Sequence, residues 1–387
     1  YNGGVIYVKD ASRAVGVAQQ LVGTESGVFV ENAKSDCARR RASHQGPKRR
    51  QPALSISAAR AARRALDWSS YQPPRPNQLG LQTITDISAA DLVPYIDWMP
   101  FFNAWEFHGK YPAILEDAVV GEAASALFAD AQKMLDKILD EDWITIRASV
   151  GFFPANTAGD DILVYRDDSR SEVQATIHCL RQQRRRRDDL PQECLSDFVA
   201  PEQSGLQDFV GGFVVTAGDG VETRAAAFEA ENDDYSAILL KALADRFAEA
   251  GAEYLHERVR REWWGYAADE SFDNDALINE AYLGIRPAPG YPACPDHTIK
   301  ATLFDLLEGE KRTGVSLTES FAMAPAASVS GWYLSHPESR YFALGQIGLD
   351  QVEDYAKRSS MSVETVERWL APVLGYEPQE PDQKDAA

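Results

Sequence analysis

The chain has 387 residues, 44% of them hydrophobic and 25% charged, so it is long enough for two or three globular domains of ordinary composition. Its net charge of −20 argues against nucleic acid as a partner, because phosphate binding needs a basic face. No stretch approaches the roughly 20 apolar residues of a membrane span, so no membrane association is expected.

Cysteine spacing shows no disulfide framework among Cys37, Cys179, Cys194 and Cys294. Few cysteines and the absence of a signal peptide favour a reducing, cytoplasmic location. Because the chain begins at Tyr1 rather than Met, we expect it to be a piece of a longer polypeptide.

The first predicted elements are a strand at 4–9 and a helix-like stretch that ends at Leu21. One strand and one helix cannot bury a core, so they are interpreted as the last β–α unit of an α/β domain. Residues 31–70 then contain ten Lys/Arg against three Asp/Glu. This composition is typical of a solvated, mobile linker, and a docking strip for an acidic partner is the alternative.

From about Leu79 onward, long helices alternate with short strands. The apolar rhythm predicts helices at 113–141 and 233–260. The predicted strands are 144–153, 161–166 and 209–216. A turn is expected at 154–159, between the first two strands. Because few strands follow a βαβ cadence, the predicted fold class is α+β with an antiparallel sheet.

The predicted helix at 233–260 places its apolar residues on one face and three polar residues on another. Asp245, Glu249 and His256 fall within about 40° of each other on a helical wheel. One interpretation is an amphipathic helix with its acidic side in water. The alternative is a pair of carboxylates one turn apart that face a cation, which would relieve their mutual repulsion.

Asp97 and Glu280 are two further acids of interest. Asp97 lies among seven apolar or aromatic neighbours, so it is expected to be at least partly buried and to need a partner. A helix N-cap is one role for it, and ligand binding is the alternative. Cys294 and His297 have the spacing of half a zinc site, but no second pair stands at ligand spacing, so no metal site is predicted.

Residues 286–297 read Arg-Pro-Ala-Pro-Gly-Tyr-Pro-Ala-Cys-Pro-Asp-His. Four prolines and a glycine predict a stiff, extended loop, because each proline fixes φ and lacks an N–H donor. The cation at Arg286 and the phenol at Tyr291 suit a zwitterionic small molecule. Further on, Asp350 with Glu353 is predicted to form a capping-box helix start, and Ser362 to cap the last helix.

The Pro-rich stretch resembles the RPAPGYPACPxH signature of the S-adenosylmethionine-binding activation domain of cobalamin-dependent methionine synthase. The similarity continues in order from about residue 79 almost to the end of the chain. The similar stretches include 95–98, 100–102, 109–112, 153–156, 244–249, 255–258, 317–323, 328–333 and 366–372. Residues 4–21 resemble the last strand and helix of the cobalamin-binding domain of the same enzyme.

The resemblance implies a C-shaped α+β domain that binds S-adenosylmethionine in a shallow groove. Such a domain supports reductive methylation of cob(II)alamin, for which a flavodoxin or a diflavin reductase supplies an electron and S-adenosylmethionine supplies the methyl group. The methylcobalamin that results serves methyl transfer from methyltetrahydrofolate to homocysteine. The alternative function is a non-catalytic S-adenosylmethionine-binding module that docks to a separate corrinoid protein.

The resemblance also implies roles for single residues at the ends of the ligand. Arg286 would bind the methionyl carboxylate, a natural pairing for a guanidinium. Asp97 would accept from the ammonium group. Tyr341 and Phe342 would contact the nucleoside end.

Other residues would face the reacting centre. Glu249 and Glu280 would lie near the sulfonium, where negative charge favours a cationic ligand, and Tyr291 would lie at the cofactor-facing rim. Asp245 would be available to the displaced histidine ligand of the corrinoid. Ala11 would touch cobalamin through its backbone.

Three segments are predicted from this similarity: 1–22 as a remnant of the cobalamin-binding domain, 23–48 as a basic linker and 49–387 as the activation domain. The sequence shows no D-x-H-x-x-G motif for a cobalt ligand, no folate module and no zinc-binding homocysteine module. The chain is therefore interpreted as a methyltransferase fragment with no catalytic residue of its own. Cobalamin is expected to bind mostly through the missing domain of the same polypeptide, and zinc only in the missing homocysteine module.

Overall fold

The computed structural model describes residue 6 and the ranges 11–23, 26–45, 54–184 and 190–378. The chain divides into two compact units, Tyr1–Pro52 and Ala53–Ala387. The first unit contains helices α1 (Ala11–Val22) and α2 (Ser26–Gln45). The strand predicted at 4–9 lies, apart from residue 6, outside the described residues.

Helix α2 occupies most of the stretch predicted as a basic linker, where no secondary structure was expected. The alanines and arginines of 38–42 explain it, because both residue types are strong helix formers even where no apolar face exists. The three predicted domain segments stay predictions.

The strands of the described residues lie in the second unit, where they form a six-stranded sheet and a separate two-stranded sheet. They are β1 (Gly80–Ile84), β2 (Thr145–Ala158), β3 (Asp161–Tyr165), β4 (Val173–His178), β5 (Asp208–Asp219), β6 (Ser316–Leu317), β7 (Met323–Ala324) and β8 (Ser328–Tyr333). The large sheet has the order β4-β3-β2-β5-β8, with β1 also paired to β2, while β6 pairs with β7. Every pairing is antiparallel, which confirms the predicted α+β class.

Helices pack on both faces of this sheet. Those of the second unit are α3 (Ile56–Ala61), α4 (Ala89–Leu92), α5 (Trp98–Ala104), α6 (Gly121–Asp140), α7 (Val221–Ala230), α8 (Asp234–Arg258), α9 (Asn274–Ile278), α10 (Ile299–Leu307), α11 (Gly309–Thr313), α12 (Leu349–Ser359) and α13 (Val363–Trp369). Side chains along β2 alternate between two cores, as the two-residue period of a strand requires. Phe152 joins the core that contains α6 and α8, and Phe153 joins the core that contains α10.

The turn predicted at 154–159 is wrong, because β2 continues through Pro154 to Ala158. On one side of β2, the pairing with β1 ends at Phe152 and the pairing with β3 begins at Ala155. Pro154 therefore falls in a gap between two partners, where a missing N–H can be accommodated. The chain reverses at Gly159, whose φ of +67° favours glycine.

Helix α8 confirms the long helix predicted at 233–260, but its acidic side is not simply solvated. Asp245 is exposed, Glu249 is half-buried, and His256 is fully buried. The helix lies between the sheet and other elements and buries residues around most of its circumference. One turn of π-helix, Val259–Trp263, continues it.

One of the two predicted helix caps is found near the carboxyl end. Ser362 caps α13 by accepting the N–H of Thr365 (3.2 Å), as predicted. The capping box predicted for Asp350 is wrong, because the N-cap of α12 is Gly348. The Asp350 carboxylate instead accepts the N–H of Ile56 (2.6 Å), which ties α12 to the start of α3.

No helix of the described residues combines the length and the apolar character that crossing a bilayer requires. Within the same residues, no group of three or more His, Cys, Asp or Glu side chains is placed to hold a metal ion.

Candidate functional site

A pocket of about 810 Å³ lies between α8, the start of α5 and the Pro-rich loop of residues 286–297. The resemblance assigned seven residues to S-adenosylmethionine, and all seven line this pocket. They are Asp97, Glu249, Glu280, Arg286, Tyr291, Tyr341 and Phe342. The fold thus gathers into one cavity residues that are spread over most of the second unit.

Backbone hydrogen bonds hold the Pro-rich loop against the end of β8. Ile285 and Leu334 donate to each other's carbonyl groups (2.9 and 3.0 Å), and the N–H of Trp332 donates to the carbonyl of Pro287 (2.9 Å). The prolines cannot donate, so the loop attaches mainly through its carbonyl groups. The predicted loop is confirmed, but it is not extended throughout, because Tyr291 donates to the carbonyl of Ala288 (3.1 Å) and Cys294 to that of Tyr291 (2.9 Å) in tight turns. Its attachment to the sheet fixes the position of Arg286.

Arg286 is a charged group at the pocket, with 22% of its side chain exposed. Its Nη1 lies 2.6 Å from Oε2 of Glu253, 3.1 Å from the hydroxyl of Tyr282 and 3.4 Å from Nδ1 of His256. Burial is the largest single effect and disfavours the charged guanidinium, but the carboxylate of Glu253 together with the hydroxyls of Tyr282 and Tyr341 outweighs it, and the pKa of Arg286 is raised. The guanidinium is therefore cationic and held through one nitrogen.

His256 lies behind Arg286 and supplies a neutral contact. Its ring stacks on Tyr333 with centroids 5.3 Å apart and meets Tyr282 edge-on at 4.8 Å. Burial, together with the charges of Arg260 and Arg286, lowers the pKa of His256 well below its ordinary value. A neutral ring can accept a hydrogen bond from Arg286 at Nδ1 without repelling its charge.

Asp97 is both a helix cap and a pocket residue, so its two sequence interpretations are compatible. Its Oδ1 accepts the N–H of Met99 (2.9 Å) at the start of α5. The side chain is half-buried and lines the pocket. The cap fixes the carboxylate at the pocket wall, and its hydrogen bond with Met99 engages Oδ1.

Glu249 and Tyr291 meet at the rim of the pocket, where the tyrosine hydroxyl lies 3.4 Å from Oε1 of the glutamate. Burial raises the pKa of Glu249 above its ordinary value of 4.5, although Arg246 and Arg286 oppose the shift. The charge of Glu249, followed by burial, raises the pKa of Tyr291 to about 12. Tyr291 is 54% exposed, so much of the residue is open to solvent at the rim of the pocket.

Glu280 and Tyr341 lie on the side of the pocket next to Arg286. Glu280 is exposed and has a φ of +56°, and partial burial of its carboxyl raises its pKa although Arg286 opposes the shift. The hydroxyl of Tyr341 accepts the backbone N–H of Arg286 (2.9 Å). Phe342 follows it and, like Tyr341, packs against the core that contains α10.

Two predicted residues do not belong to this pocket. Asp245 is exposed on α8 and pairs with its neighbour Arg246. Ala11 is the first residue of α1, in the other unit of the chain.

Sequence reasoning missed Glu253 and Tyr282, the two residues whose side-chain oxygens accept from Nη1 of Arg286. Glu253 is four residues after Glu249 on α8, and Tyr282 is four residues before Arg286. The helical spacing of the two glutamates was the available signal, since residues four apart share a face. It was overlooked because a buried glutamate is uncommon unless a cation pairs with it.

Comparison with known proteins gives two findings. The family model described as vitamin B12 dependent methionine synthase, activation domain, matches residues 88–360, which is more than half of the chain. Among solved structures, the chain is similar to the MetH reactivation domain in a crystal structure with AdoHcy bound. The sequence identity is 57%, the match covers 84% of this chain and 100% of that chain, and the TM-score is 0.81.

Proposed function

The chain belongs to the family of vitamin B12-dependent methionine synthase activation domains, and we propose that it binds S-adenosylmethionine in the 810 Å³ pocket. The observation that carries the proposal is the state of Arg286, a cationic guanidinium held at the pocket wall and still partly exposed. The AdoHcy-bound relative supports it, because AdoHcy is the demethylated form of the same ligand. As a member of this family, the chain serves reactivation of a methyltransferase.

The amino-acid end of the ligand would lie between Arg286 and Asp97. Arg286 would donate to the carboxylate, the charge-assisted pairing that a guanidinium makes best. Asp97 would accept from the ammonium group while it keeps its cap on α5. Tyr341 and Phe342 would contact the nucleoside end.

The sulfonium would lie near Glu249 and Glu280. A carboxylate partly withdrawn from water attracts a cation more strongly than a solvated one does. This arrangement would favour the cationic methyl donor over its neutral product, and product release would follow from the loss of that attraction. The chain's contribution would be placement and electrostatics rather than a catalytic residue.

When bound, cobalamin supplies a cobalt centre that, once reduced, accepts the methyl group. The described residues would provide only a small part of that site. Tyr291, exposed at the pocket mouth, would face the cofactor, and the exposed carboxylate of Asp245 could accept from the imidazole of a displaced histidine ligand. Ala11 is proposed to touch cobalamin through its backbone, and no zinc is assigned to this chain.

The partner would be a cobalamin-binding domain, and a flavodoxin or a diflavin reductase would supply one electron. We propose a cytoplasmic setting, where such reductants act. The alternative, a non-catalytic module that docks to a separate corrinoid protein, predicts the same ligand binding. The two functions differ in the expected chemistry. When the chain is mixed with a cobalamin-loaded partner domain, a reductant and S-adenosylmethionine, an activation domain would yield S-adenosylhomocysteine, whereas a non-catalytic module would not.

A calorimetric titration of the chain with S-adenosylmethionine tests the proposal, with ATP as the control. ATP shares the adenosine but has neither a carboxylate nor a sulfonium. We expect saturable binding at one site for S-adenosylmethionine and no binding for ATP. Equal binding of both ligands, or no heat and no rise in melting temperature with either, would contradict the proposal.

A further inference from the structure

Glu253 is a buried carboxylate with one short contact. The residue is 7% exposed, and its Oε2 lies 2.6 Å from Nη1 of Arg286. Among the described residues its Oε1 has no hydrogen-bond partner. A carboxylate withdrawn from water in this way is costly unless it is paired, so its short ion pair with Arg286 must offset most of the cost.

A second cation, Arg260, lies farther from Glu253 than Arg286 does. Arg260, in the π-helical turn after α8, is fully buried and has Nη1 3.8 Å from Glu253. Its Nε lies 2.7 Å from Oε1 of Glu270, and its guanidinium lies over the ring of Tyr282 at 4.3 Å. The close ion pair of Arg260 is therefore with Glu270, and the close ion pair of Glu253 is with Arg286.

Within the described residues, the three polar side-chain contacts of the Arg286 guanidinium all involve Nη1. They come from Glu253, Tyr282 and the neutral ring of His256, a set we call the Nη1 cluster. Because a guanidinium is planar and rigid, fixing one nitrogen from behind limits where the others can point. Arg286 lines the pocket with 22% of its side chain exposed, so its other nitrogens are available to a ligand.

We infer that Glu253, assisted by Tyr282, is a positioning residue that orients Arg286 for the carboxylate of the ligand. This inference rests on the proposed function, because it assumes that Arg286 binds that carboxylate. Glu253 acts through Arg286, so its removal should affect only ligands that carry the carboxylate. A residue that merely stabilised the fold would affect all ligands alike.

The test compares S-adenosylmethionine with decarboxylated S-adenosylmethionine, and the quantity of interest is the ratio of their affinities. Glu253→Asp keeps the charge but shortens the side chain by one methylene, so the contact with Nη1 is lost. We expect the ratio to fall about ten-fold in Glu253→Asp and about three-fold in Tyr282→Phe, which loses only a hydroxyl. Melting curves establish that each variant is folded.

Glu270→Asp is the matched control. The side chain of Glu270 is also largely buried and forms an ion pair with an arginine, but its partner is Arg260 and not Arg286. We expect it to lower stability and to leave the ratio within about two-fold of wild type. An unchanged or raised ratio in Glu253→Asp would overturn the inference, since it would mean that Glu253 acts by its charge alone. If that variant does not fold, an unchanged ratio in Tyr282→Phe overturns it.

Arg286→Ala separates the inference from the proposed function. If this variant abolishes the preference for the carboxylate while Glu253→Asp and Tyr282→Phe keep it, only the positioning role fails. If wild type shows no preference, or Arg286→Ala leaves it intact, the assignment of Arg286 fails and the inference fails with it. In the Arg286→Ala background, Glu253→Asp should change the ratio no further.

Discussion

At the scale of single residues, the proposed recognition of the ligand relies on a few charges that the fold partly withdraws from water. Arg286, Asp97 and Glu249 each make a structural contact as well as lining the pocket. Such contacts lock the side chains before a ligand arrives, so less conformational freedom is lost on binding. Substitutions at these positions should therefore act on specific parts of the ligand.

Replacing Arg286 with alanine should cost about 2–3 kcal/mol of affinity for S-adenosylmethionine, because a charge-assisted contact disappears and leaves a carboxylate unpaired. Calorimetry measures the loss. Arg258→Ala is the control, since Arg258 at the end of α8 pairs with Glu262 and does not line the pocket. Wild-type affinity in Arg286→Ala would refute its role.

The Asp97→Asn variant isolates recognition of the ammonium group. Asparagine caps helices as well as aspartate does, so α5 should keep its start. The loss of the negative charge should weaken the binding of S-adenosylmethionine, and should weaken it by about 1–2 kcal/mol more than the binding of an analogue that lacks the amino group. Titrations with both ligands measure the difference, and equal losses would exclude a contact between Asp97 and the ammonium.

The preference for S-adenosylmethionine over S-adenosylhomocysteine should depend on pH through Glu249. Burial raises the pKa of Glu249, so its carboxylate takes up a proton at a pH above its ordinary value of 4.5. The protonated form no longer attracts a sulfonium, so the preference should be full at high pH and decline as pH falls through this raised pKa.

Affinities for both ligands measured across this pH range provide the check. In Glu249→Gln the preference should be smaller at high pH and should vary less with pH, with any remaining slope attributable to Glu280. A preference that grows as the pH is lowered, or that is wider in the variant, would count against a role for Glu249 at the sulfonium.

At the scale of elements, the Pro-rich loop depends on a glycine at its turn. Gly290 has a φ of +98°, and a Cβ there would lie 2.3 Å from Cε1 of His297. Gly159, at the turn between β2 and β3, also has a positive φ of +67°, but a Cβ there would meet nothing within 4 Å. The two glycines separate backbone strain from steric conflict.

Gly290→Ala and Gly159→Ala should each lose about 1–2 kcal/mol of unfolding free energy from left-handed backbone strain. Only Gly290→Ala should also displace the loop against His297 and weaken S-adenosylmethionine binding. Denaturant unfolding and calorimetry measure the two quantities. Unchanged ligand affinity in Gly290→Ala would show that the turn of the loop does not control the site.

The same elements show how far sequence reasoning reached. The proline pattern predicted a loop at 286–297, although not its tight turns, and hydrophobic periodicity predicted the long helix at 233–260, because both are local properties. The turn at 154–159 was wrong because Pro154 lies in a gap between two partner strands, which only the tertiary pairing defines. The cap at Asp350 was wrong because that carboxylate bonds to Ile56, far away in sequence.

At the scale of the whole molecule, the seven ligand residues were assigned by resemblance to a family, and the fold places them around one cavity. Sequence could not reveal the cluster beneath them, because burial of Glu253 and His256 results from packing of α8 on both sides. The acidic net charge fits a small cationic ligand better than a polyanion.

A crystal structure of the chain with S-adenosylmethionine tests the central claim most directly. We expect the ligand in the 810 Å³ pocket, its carboxylate within hydrogen-bonding distance of Arg286 and its ammonium next to Asp97. Density for the ligand elsewhere, or in this pocket with its carboxylate turned away from Arg286, would contradict the account.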